Sequence, residues 1–576
     1  MKTFGINMIN VNTMNNLSFK AQTPQAEVKT QTQNLSSSNL LSQFLKNQAV
    51  INTPAVVNKT PAENKPYKND LRTLITTNSA IILCLLPRTA NAVDTNGNEY
   101  IEKGETPGTF LNAIDRLDKI KEEGFNTLHL LPIHPPGVQN AQGTAGSVYA
   151  PLDLLKIDPV LVDKKDSRSD IEQFKAFVDA CHDRGIRVMV DLPSCASYDL
   201  YKEKPELMAM ENGVAKVPQG WADIRMFQPW EDEGKRLLNP QLLEYHKKFV
   251  DMMIDAGVDG IRADVARAKP VEFWDILISY SRKRDPEFAW LAETYTYEDA
   301  SPQMNMPYDR PEDSLRSGFD VYYGQYHIFN EWEGAKDLHN YVIDNLKMSY
   351  RVGTGKSVIG SFTTHDDISP MYHGGEVFCN LTTGLQATLP MMNPYFVDGY
   401  QTGDKYHYSY KDKNIGKESH TDSPYMTVPF PDGRLDIFNL SRKPGGDEPQ
   451  IGEFMTEALK FREKYAHILK RGSYIVLNKD KDKNDQVIAF ARHRQGKTIL
   501  VIANKNVNRR TACKISVPTM KESQKLNNLL PSYGEESRFQ VSKGVISVDL
   551  GPGRIHAFEI DTPNIESYTK KVYKQH

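Results

Sequence analysis

Residues 240–264 read PQLLEYHKKFVDMMIDAGVDGIRAD and contain one complete helix–turn–strand unit. Apolar residues recur at intervals of three and four between Pro240 and Gly257, which predicts an amphipathic helix that begins with proline and ends at glycine. The run that follows, VDGIRAD, is short and mostly apolar, as is typical of a buried parallel strand. Repeated units of this kind predict an α/β protein in which helices cover a parallel sheet.

The same pattern recurs on both sides of this stretch. Helical patterns cover residues 109–124, 169–185, 272–284 and 451–469, and the apolar runs that predict strands are 81–86, 126–133, 186–192, 258–264, 288–294, 319–325, 357–364 and 389–397. Eight strands in a helix-alternating chain predict a (β/α)8 TIM barrel, which we assign to residues 69–470. An irregular stretch at about 196–239 predicts a small inserted subdomain after the third strand.

The two ends of the chain have a different character. Short runs of alternating apolar and polar residues predict a C-terminal antiparallel β-sandwich domain over residues 471–562, and we expect residues 563–576 to form a tail. Residues 1–68 are rich in Asn, Gln, Ser and Thr and have no sustained apolar period, so we expect this segment to be disordered.

Composition excludes several classes of protein. The net charge of −3 gives no electrostatic basis for binding nucleic acid, and a mean hydropathy of −0.53 without a long apolar run predicts no membrane span. Five scattered cysteines argue against a disulfide scaffold. The N-terminus lacks a basic-then-apolar signal pattern, which favours a cytoplasmic protein. The run SAIILCLLPRTANA at 79–92 resembles a cleaved signal, but we interpret it as a buried strand because it lies far from the N-terminus.

Ionisable side chains end several of the predicted strands. Asp191, Asp264 and Glu293 lie at the ends of the third, fourth and fifth runs, and His365 and Asp366 directly follow the seventh. The carboxyl ends of barrel strands form one face, where active sites of this fold lie, so we expect these side chains to meet there. A fold retains grouped carboxylates in a cleft mainly when they serve a function.

Two carboxyl groups that flank a glycosidic bond can cleave it. Arg262 lies two residues before Asp264 and so points to the same side of the strand, where its charge favours an ionised nucleophile at Asp264. Glu293 lies between apolar residues, where desolvation raises the pKa of a general acid. Their carboxyl groups are expected to lie about 5–5.5 Å apart, the spacing of a retaining enzyme.

At these residues the sequence resembles the α-amylase family, glycoside hydrolase family 13. The segments that match are GIRAD (260–264), LAETY (291–295), TTHDD (363–367), GSVYAPLDLLKIDP (146–159) and NPYFVDGYQTGD (393–404). The resemblance implies that Asp264 is the nucleophile, Glu293 the acid/base and Asp366 a third catalytic acid. It also implies that Arg262, His365, Tyr149 and Asp191 bind the substrate, an α-glucan or maltooligosaccharide.

One motif departs from the family pattern. The family has Asp-x-x-x-Asn-His after the third strand, whereas this chain has Asp191-Leu-Pro-Ser-Cys195-Ala196 and therefore lacks both the Asn and the His. The maltosyltransferases that use maltose 1-phosphate also depart here, and PIHPPG (132–137) resembles that branch, although its fourth motif usually lacks the His-Asp kept at 365–366. We therefore expect a retaining glycoside hydrolase that acts on α-glucosidic bonds. The alternatives are such a transferase and a non-catalytic carbohydrate-binding relative.

A second motif suggests a metal. DTNGNEYIE (94–102) resembles the calcium loop of the α-glucosidase branch, and oxygen ligands at alternate positions suit calcium. The alternative is an Asn-Gly turn in a solvated loop. No organic cofactor is expected. The predicted calcium ligands are Asp94, Asn96, Asn98, Tyr100 and Glu102.

Overall fold

A computed structural model of the chain describes residues 67–95, 103–141, 147–218, 223–294, 310–353, 355–405, 445–478 and 485–575. The predicted N-terminal disordered segment lies outside these residues except for its last two. Tyr67, the first of them, donates a hydrogen bond to Asp259 (2.8 Å) and stacks on His182. The packed part of the chain therefore begins before residue 69, because the ring of Tyr67 packs at the amino end of the barrel strands.

The predicted barrel is confirmed. Eight parallel strands close on themselves, and each pairs with its neighbours in sequence order. The strands are Ile82–Leu85, Thr127–Leu130, Arg187–Leu192, Gly260–Ala263, Ala289–Ala292, Val321–Tyr322, Ser357–Gly360 and Met392–Val397.

The interior of the barrel is filled by the side chains that alternate inward along each strand. Ile82, Met189, Leu291 and Tyr395 belong to one buried cluster there. The helix Leu71–Thr76 caps the amino ends of the strands and adds Leu71 and Ile75 to the same cluster. Gly260 starts the fourth strand under this cap, where a Cβ would approach the Ala289 carbonyl oxygen to 2.8 Å.

Helices cover the outside of the barrel. The predicted helix at 109–124 is divided into Phe110–Ala113, the 3-10 turn Ile114–Arg116 and Leu117–Glu122. Two long helices that the sequence did not single out, Ala335–Val352 and Gly375–Thr388, separate the last three strands. The remaining larger helices are Asp170–Asp183, Pro240–Asp255, Val271–Arg284, Pro311–Arg316, Pro449–Lys464 and Ala466–Leu469.

The insertion after the third strand is a small subdomain of two-stranded ribbons. Cys195–Ser197 pairs with Ile224–Met226, and the helix Tyr198–Glu203 follows the first of these strands. The other ribbons join Met210–Glu211 to Val214–Ala215 and Trp230–Asp232 to Leu237–Leu238. The first ribbon continues directly from the third barrel strand, so it borders the carboxyl face of the barrel.

The C-terminal domain is antiparallel, as predicted. One sheet contains, in spatial order, Ile555–Ile560, Lys497–Asn504, Val487–Arg494, Ser473–Val476 and Val572–Tyr573. The second contains Thr511–Ser516, Val545–Leu550 and Arg538–Ser542, and both sheets contribute to one apolar cluster.

The assignment of residues 563–576 to a tail was wrong for Val572 and Tyr573. These residues form the edge strand beside Ser473–Val476, with Tyr474 opposite Tyr573. Gln575 also accepts a hydrogen bond from Arg492 (3.0 Å). The backbone of this segment is ordered because it satisfies the free edge of the sheet. Among the helices described, none is both long and apolar enough to cross a membrane.

Candidate active site

The predicted acids converge on one arginine at the carboxyl face of the barrel. Asp264 and Glu293 directly follow the fourth and fifth strands. Arg262 belongs to the fourth strand, where it lies opposite Asp191 of the third. Its Nη1 donates to Asp191 (2.8 Å) and to Asp264 (2.9 Å), and its Nη2 lies 2.7 Å from Glu293 Oε2. A guanidinium group has a planar fork of donors that suits this bridging of carboxylates.

Arg262 and Asp191 are buried under this cluster. The side chain of Arg262 is 1% exposed and that of Asp191 is wholly buried, so both make their contacts with protein groups. Burial alone raises the pKa of Asp191, but the charge of Arg262 and the hydrogen bond with His129 together outweigh it and lower the pKa to about 2. Arg262 and Asp191, which were both predicted to bind substrate, therefore form a buried ion pair beneath Asp264 and Glu293.

Asp264 and Glu293 are hydrogen-bonded to each other through their side chains. Burial raises the pKa of Asp264 well above its usual range, and the negative charge of Glu293 adds to this effect. Burial also opposes ionisation of Glu293, but Arg262 and the Val265 N–H outweigh it and lower the pKa of that carboxyl. The pKa values of the two buried carboxyl groups are therefore shifted in opposite directions within one site above Arg262.

The backbone beside Asp264 is strained and held by several hydrogen bonds. Val265, a β-branched residue, has a left-handed φ of 37°, and its N–H donates to Glu293 Oε2 (2.7 Å). Ser194 approaches from the third strand: its N–H donates to Asp264 Oδ2 (3.1 Å), and its hydroxyl donates to the Asp264 carbonyl. Sequence reasoning missed Ser194, although it lies inside the motif that departs from the family.

Tyr149 connects the cluster to the seventh strand. Its hydroxyl donates to Asp191 Oδ2 (2.7 Å) and lies 2.7 Å from His365 Nε2, and its ring is nearly parallel to that of His365. Asp366 Oδ1 lies 3.4 Å from the same His365 nitrogen, and its side chain, 24% exposed, faces solvent more than the other acids. All seven residues predicted for the catalytic and substrate sites are thus joined in one network.

Sequence reasoning also missed the polar groups in the layer below. His129 lies 3.4 Å from Asp191 through Nε2, and its Nδ1 lies 2.8 Å from the hydroxyl of Tyr395. That hydroxyl is 2.8 Å from the hydroxyl of Tyr323 and is also hydrogen-bonded to Cys84. A histidine inside the apolar run NTLHLLPI was the available signal, since its alternation places His129 inside the barrel.

The altered motif has a definite environment. Cys195 is buried against Ala150 and Ile224, and burial raises the pKa of its thiol to about 12. This agrees with its interpretation as a buried small residue rather than a reactive thiol. A buried neutral thiol does not supply the oxygen ligand that calcium prefers, so the residue does not fit a calcium site at this motif.

The second calcium prediction stays untested. Of its five proposed ligands only Asp94 is among the described residues. Next to it, Val93 pairs with Thr106, and Glu105 accepts from the N–H of Thr95 (2.6 Å). Within the described part of the chain, no group of three or more His, Cys, Asp or Glu is placed to hold a metal ion.

Comparison with known proteins agrees with this architecture. Residues 478–568 match the family model of the α-amylase C-terminal all-β domain. The chain carries an α-amylase C-terminal domain. With the barrel and its acids arranged as described, the resemblance of the chain to the α-amylase family is confirmed.

Relatives of this chain at the sequence level include maltosyltransferases. An α-1,4-glucan:maltose-1-phosphate maltosyltransferase of Cereibacter sphaeroides is 27% identical over 304 residues, which are 50% of this chain and 42% of that protein. One of Bifidobacterium animalis subsp. lactis is 29% identical over 238 residues, covering 36% of this chain and 29% of that protein. The chain therefore spans less than half the length of these relatives.

The solved structures show the same fold over a longer stretch. An α-amylase from Lactobacillus plantarum has a TM-score of 0.61 at 20% identity and covers 84% of this chain and 99% of its own. A noncanonic maltogenic α-amylase from Thermotoga neapolitana has a TM-score of 0.59 at 23% identity and covers 85% and 100%. At under 25% identity, these likenesses show that the chain shares its fold with the two amylases.

Proposed function

We propose that this chain breaks α-glucosidic bonds with retention of configuration and passes the sugar to an acceptor through a covalent intermediate on Asp264. The observation that carries this proposal is the pair of buried carboxyl groups of Asp264 and Glu293, both in contact with Arg262 at the carboxyl face of the barrel. Retaining chemistry needs one carboxylate and one carboxylic acid, and this pair supplies both.

The first step consumes the proton of the pair. With the sugar bound, Asp264 acts as the carboxylate and Glu293 as the carboxylic acid of the pair. The Asp264 carboxylate then attacks the anomeric carbon, and Glu293 gives its proton to the leaving oxygen as the glycosidic bond breaks. Arg262, which contacts both groups, stabilises Asp264 in the ionised form during this exchange.

The second step returns the proton. An acceptor hydroxyl attacks the anomeric carbon, Glu293 removes its proton, and the ester bond to Asp264 breaks. Asp366 and His365 lie beside the pair and are suited to hold sugar hydroxyls during both steps, since Asp366 is the most exposed acid of the network. The ring of Tyr149, ordered by Asp191 and His365, is suited to pack on the sugar.

For the donor and acceptor, we propose maltosyl transfer from maltose 1-phosphate to an α-glucan. This choice is supported by the names of the relatives, which are α-1,4-glucan:maltose-1-phosphate maltosyltransferases. Hydrolysis of α-glucans or maltooligosaccharides is the second candidate, favoured by the His365-Asp366 motif. A non-catalytic carbohydrate-binding role is disfavoured, because a binder has no need for a strained loop that orients two acids.

One experiment separates transfer from hydrolysis. The protein is incubated with maltohexaose, with and without maltose 1-phosphate, and products are followed by chromatography together with a phosphate assay. Transfer predicts release of phosphate and growth of the acceptor by maltosyl units only when both substrates are present. Shorter oligosaccharides without added donor would instead support the hydrolase, and no change in any mixture would contradict both.

A second experiment tests the two acids. An activated fluorinated maltosyl donor needs no proton for its leaving group, so Glu293→Gln should still form the covalent sugar ester and accumulate it. Asp264→Asn should form none, because it lacks the nucleophile. Intact-mass spectrometry distinguishes the two variants, and a β-configured product by NMR would overturn the retaining mechanism.

A further inference from the structure

Lys269 is a buried lysine directly behind the nucleophile. It ends the short turn Ala266–Ala268 that follows Asp264, and it is 3% exposed. Its ammonium lies over three aromatic rings, at 5.3 Å from the centre of Phe227, 5.9 Å from Phe273 and 5.6 Å from Trp274. Aromatic faces stabilise a desolvated cation, so these rings offset part of the cost of burying the ammonium group.

The ammonium contacts the nucleophile through one intermediary residue. Lys269 Nζ donates to the carbonyl oxygen of Ser194 (3.2 Å). Ser194 in turn donates its N–H to Asp264 Oδ2 (3.1 Å) and its hydroxyl to the Asp264 carbonyl. Both peptide groups of Ser194 are therefore fixed between a buried cation and the carboxyl group that attacks the sugar.

We propose that Lys269 is a positioning residue that acts through Ser194 to keep Asp264 oriented and ionised for attack. This inference rests on the proposed function. The charged lysine holds the Ser194 peptide against Asp264, and its positive charge favours the carboxylate over the acid. The protonated lysine is the active form, so glycosylation of Asp264 depends on a group that never touches the substrate.

The surroundings of Lys269 set the pH range in which this device acts. The titratable groups that face it are Asp264, the thiol of Cys195 and His246. Burial lowers the pKa of His246 well below its usual range and raises that of Cys195 to about 12, so neither changes charge near neutrality. Burial lowers the pKa of Lys269 itself to about 8. The positioning charge is present below this pH and is lost above it.

The test follows formation of the covalent ester in the Glu293→Gln background, where the acid/base no longer titrates. With the fluorinated maltosyl donor, the rate of ester formation should fall as pH rises through about 8. In the double variant with Lys269→Arg the charge persists, so this alkaline fall should disappear while ester still forms. In the double variant with Lys269→Met the rate should be lower by roughly ten- to a hundredfold, the effect of removing a charged hydrogen bond, and should show no fall near 8.

Lys356 provides the matched control. It is also a largely buried lysine whose pKa burial lowers to about 8, and its Nζ also donates to a backbone carbonyl, that of Phe319. It lies at the opposite, amino end of the barrel strands, directly before Ser357–Gly360. Lys356→Arg should therefore leave the alkaline fall in place.

The outcomes separate this inference from the proposed function. Absence of ester at every pH in Glu293→Gln would contradict the retaining mechanism itself. Ester formation without a fall near pH 8, or a fall that persists in both Lys269 variants, would overturn only the role of Lys269. If Lys269→Arg does not fold by circular dichroism, Lys269→Met decides, since a remaining fall near 8 in that variant has the same consequence.

Discussion

The carboxyl groups of Asp264 and Glu293 are hydrogen-bonded to each other at the ends of neighbouring barrel strands. Both groups also contact Arg262, Asp264 through Oδ1 at 2.9 Å and Glu293 through Oε2 at 2.7 Å. The separation of about 5–5.5 Å expected for the two carboxyl groups of a retaining enzyme stays a prediction.

The raised pKa of Asp264 predicts a pH-dependent difference in stability between the wild type and Asp264→Asn. The pKa of Asp264 is raised in the folded protein, so its stabilising contribution is complete below the unfolded pKa of about 3.9 and is lost as pH rises through the folded pKa. Asp264→Asn stays neutral throughout. Between pH 4 and pH 8 we expect the variant to gain stability relative to the wild type, by about 1.4 kcal/mol for each unit by which the pKa of Asp264 is raised. Thermal unfolding at the two pH values measures this change.

Asp366→Asn is the control for this measurement, because that side chain is partly exposed. Its difference from the wild type should change little between the two pH values. If the stability difference between Asp264→Asn and the wild type is also the same at both pH values, the pKa of Asp264 is not raised in the folded protein.

Arg262→Met should destabilise the protein and abolish activity. The change leaves Asp191, Asp264 and Glu293 without their common cation, and removing one partner of a buried ion pair typically costs about 3–5 kcal/mol. In the wild type the low pKa of Asp191 stabilises the fold above pH 4 and the effect is lost as pH falls through about 2.

The loss in Arg262→Met should therefore be smaller at pH 4 than at pH 7, where the uncompensated carboxylates are fully charged. Urea unfolding at both pH values measures it. Arg282→Met, which breaks the pair with Asp320 at the amino end of the strands, should reduce stability while leaving kcat within about twofold. Equal losses of activity in both variants would contradict a specific role for Arg262.

Restoring the family residue at position 195 should not restore a calcium site. Cys195→Asn buries an amide against Ala150 and Ile224, and an amide without a partner costs about 1–3 kcal/mol. Thermal unfolding with and without calcium measures both effects. Cys513→Asn, at a half-exposed strand position, should cost much less. A rise in the melting temperature of Cys195→Asn on adding calcium would show that oxygen ligands are already in place around this motif.

Tyr67 should contribute to stability although it lies at the end of a segment expected to be disordered. Tyr67→Phe removes the hydrogen bond to Asp259 and should cost about 0.5–1.5 kcal/mol. Tyr67→Ala also removes the stacking on His182 and should cost more. Denaturant unfolding of both full-length variants checks the order, and equal stability of all three proteins would contradict the packing described.

We expect calcium to have a modest effect through residues 94–102. Titration with a chelator during thermal unfolding should lower the midpoint by an amount that corresponds to at most about 2.7 kcal/mol at a hundredfold excess of calcium over its dissociation constant. Asp94→Asn should reduce this shift. No shift in the wild type, together with no metal by elemental analysis, would remove the site.

Local patterns in the sequence were sufficient for the barrel and for the position of its acids. The alternation of apolar runs and amphipathic helices depends on residues a few positions apart, and the residue after each strand must lie at the carboxyl face. Asp264, Glu293 and Asp366 could therefore be found without coordinates. The apolar alternation of the C-terminal strands is local in the same way.

Contacts between residues that are distant in the sequence depend on closure of the barrel, and the local patterns do not contain them. The contact of His129 with Asp191 and the aromatic cage of Lys269 join residues from separate strands and helices, and only the folded chain brings them together. The same holds for the pKa values of the two acids. Arg262 and the Val265 N–H lower the pKa of Glu293, and burial raises that of Asp264, through groups that are distant from Glu293 in the sequence. A pKa is set by every charge and dipole within a few ångströms, and in this site most of them come from distant parts of the chain.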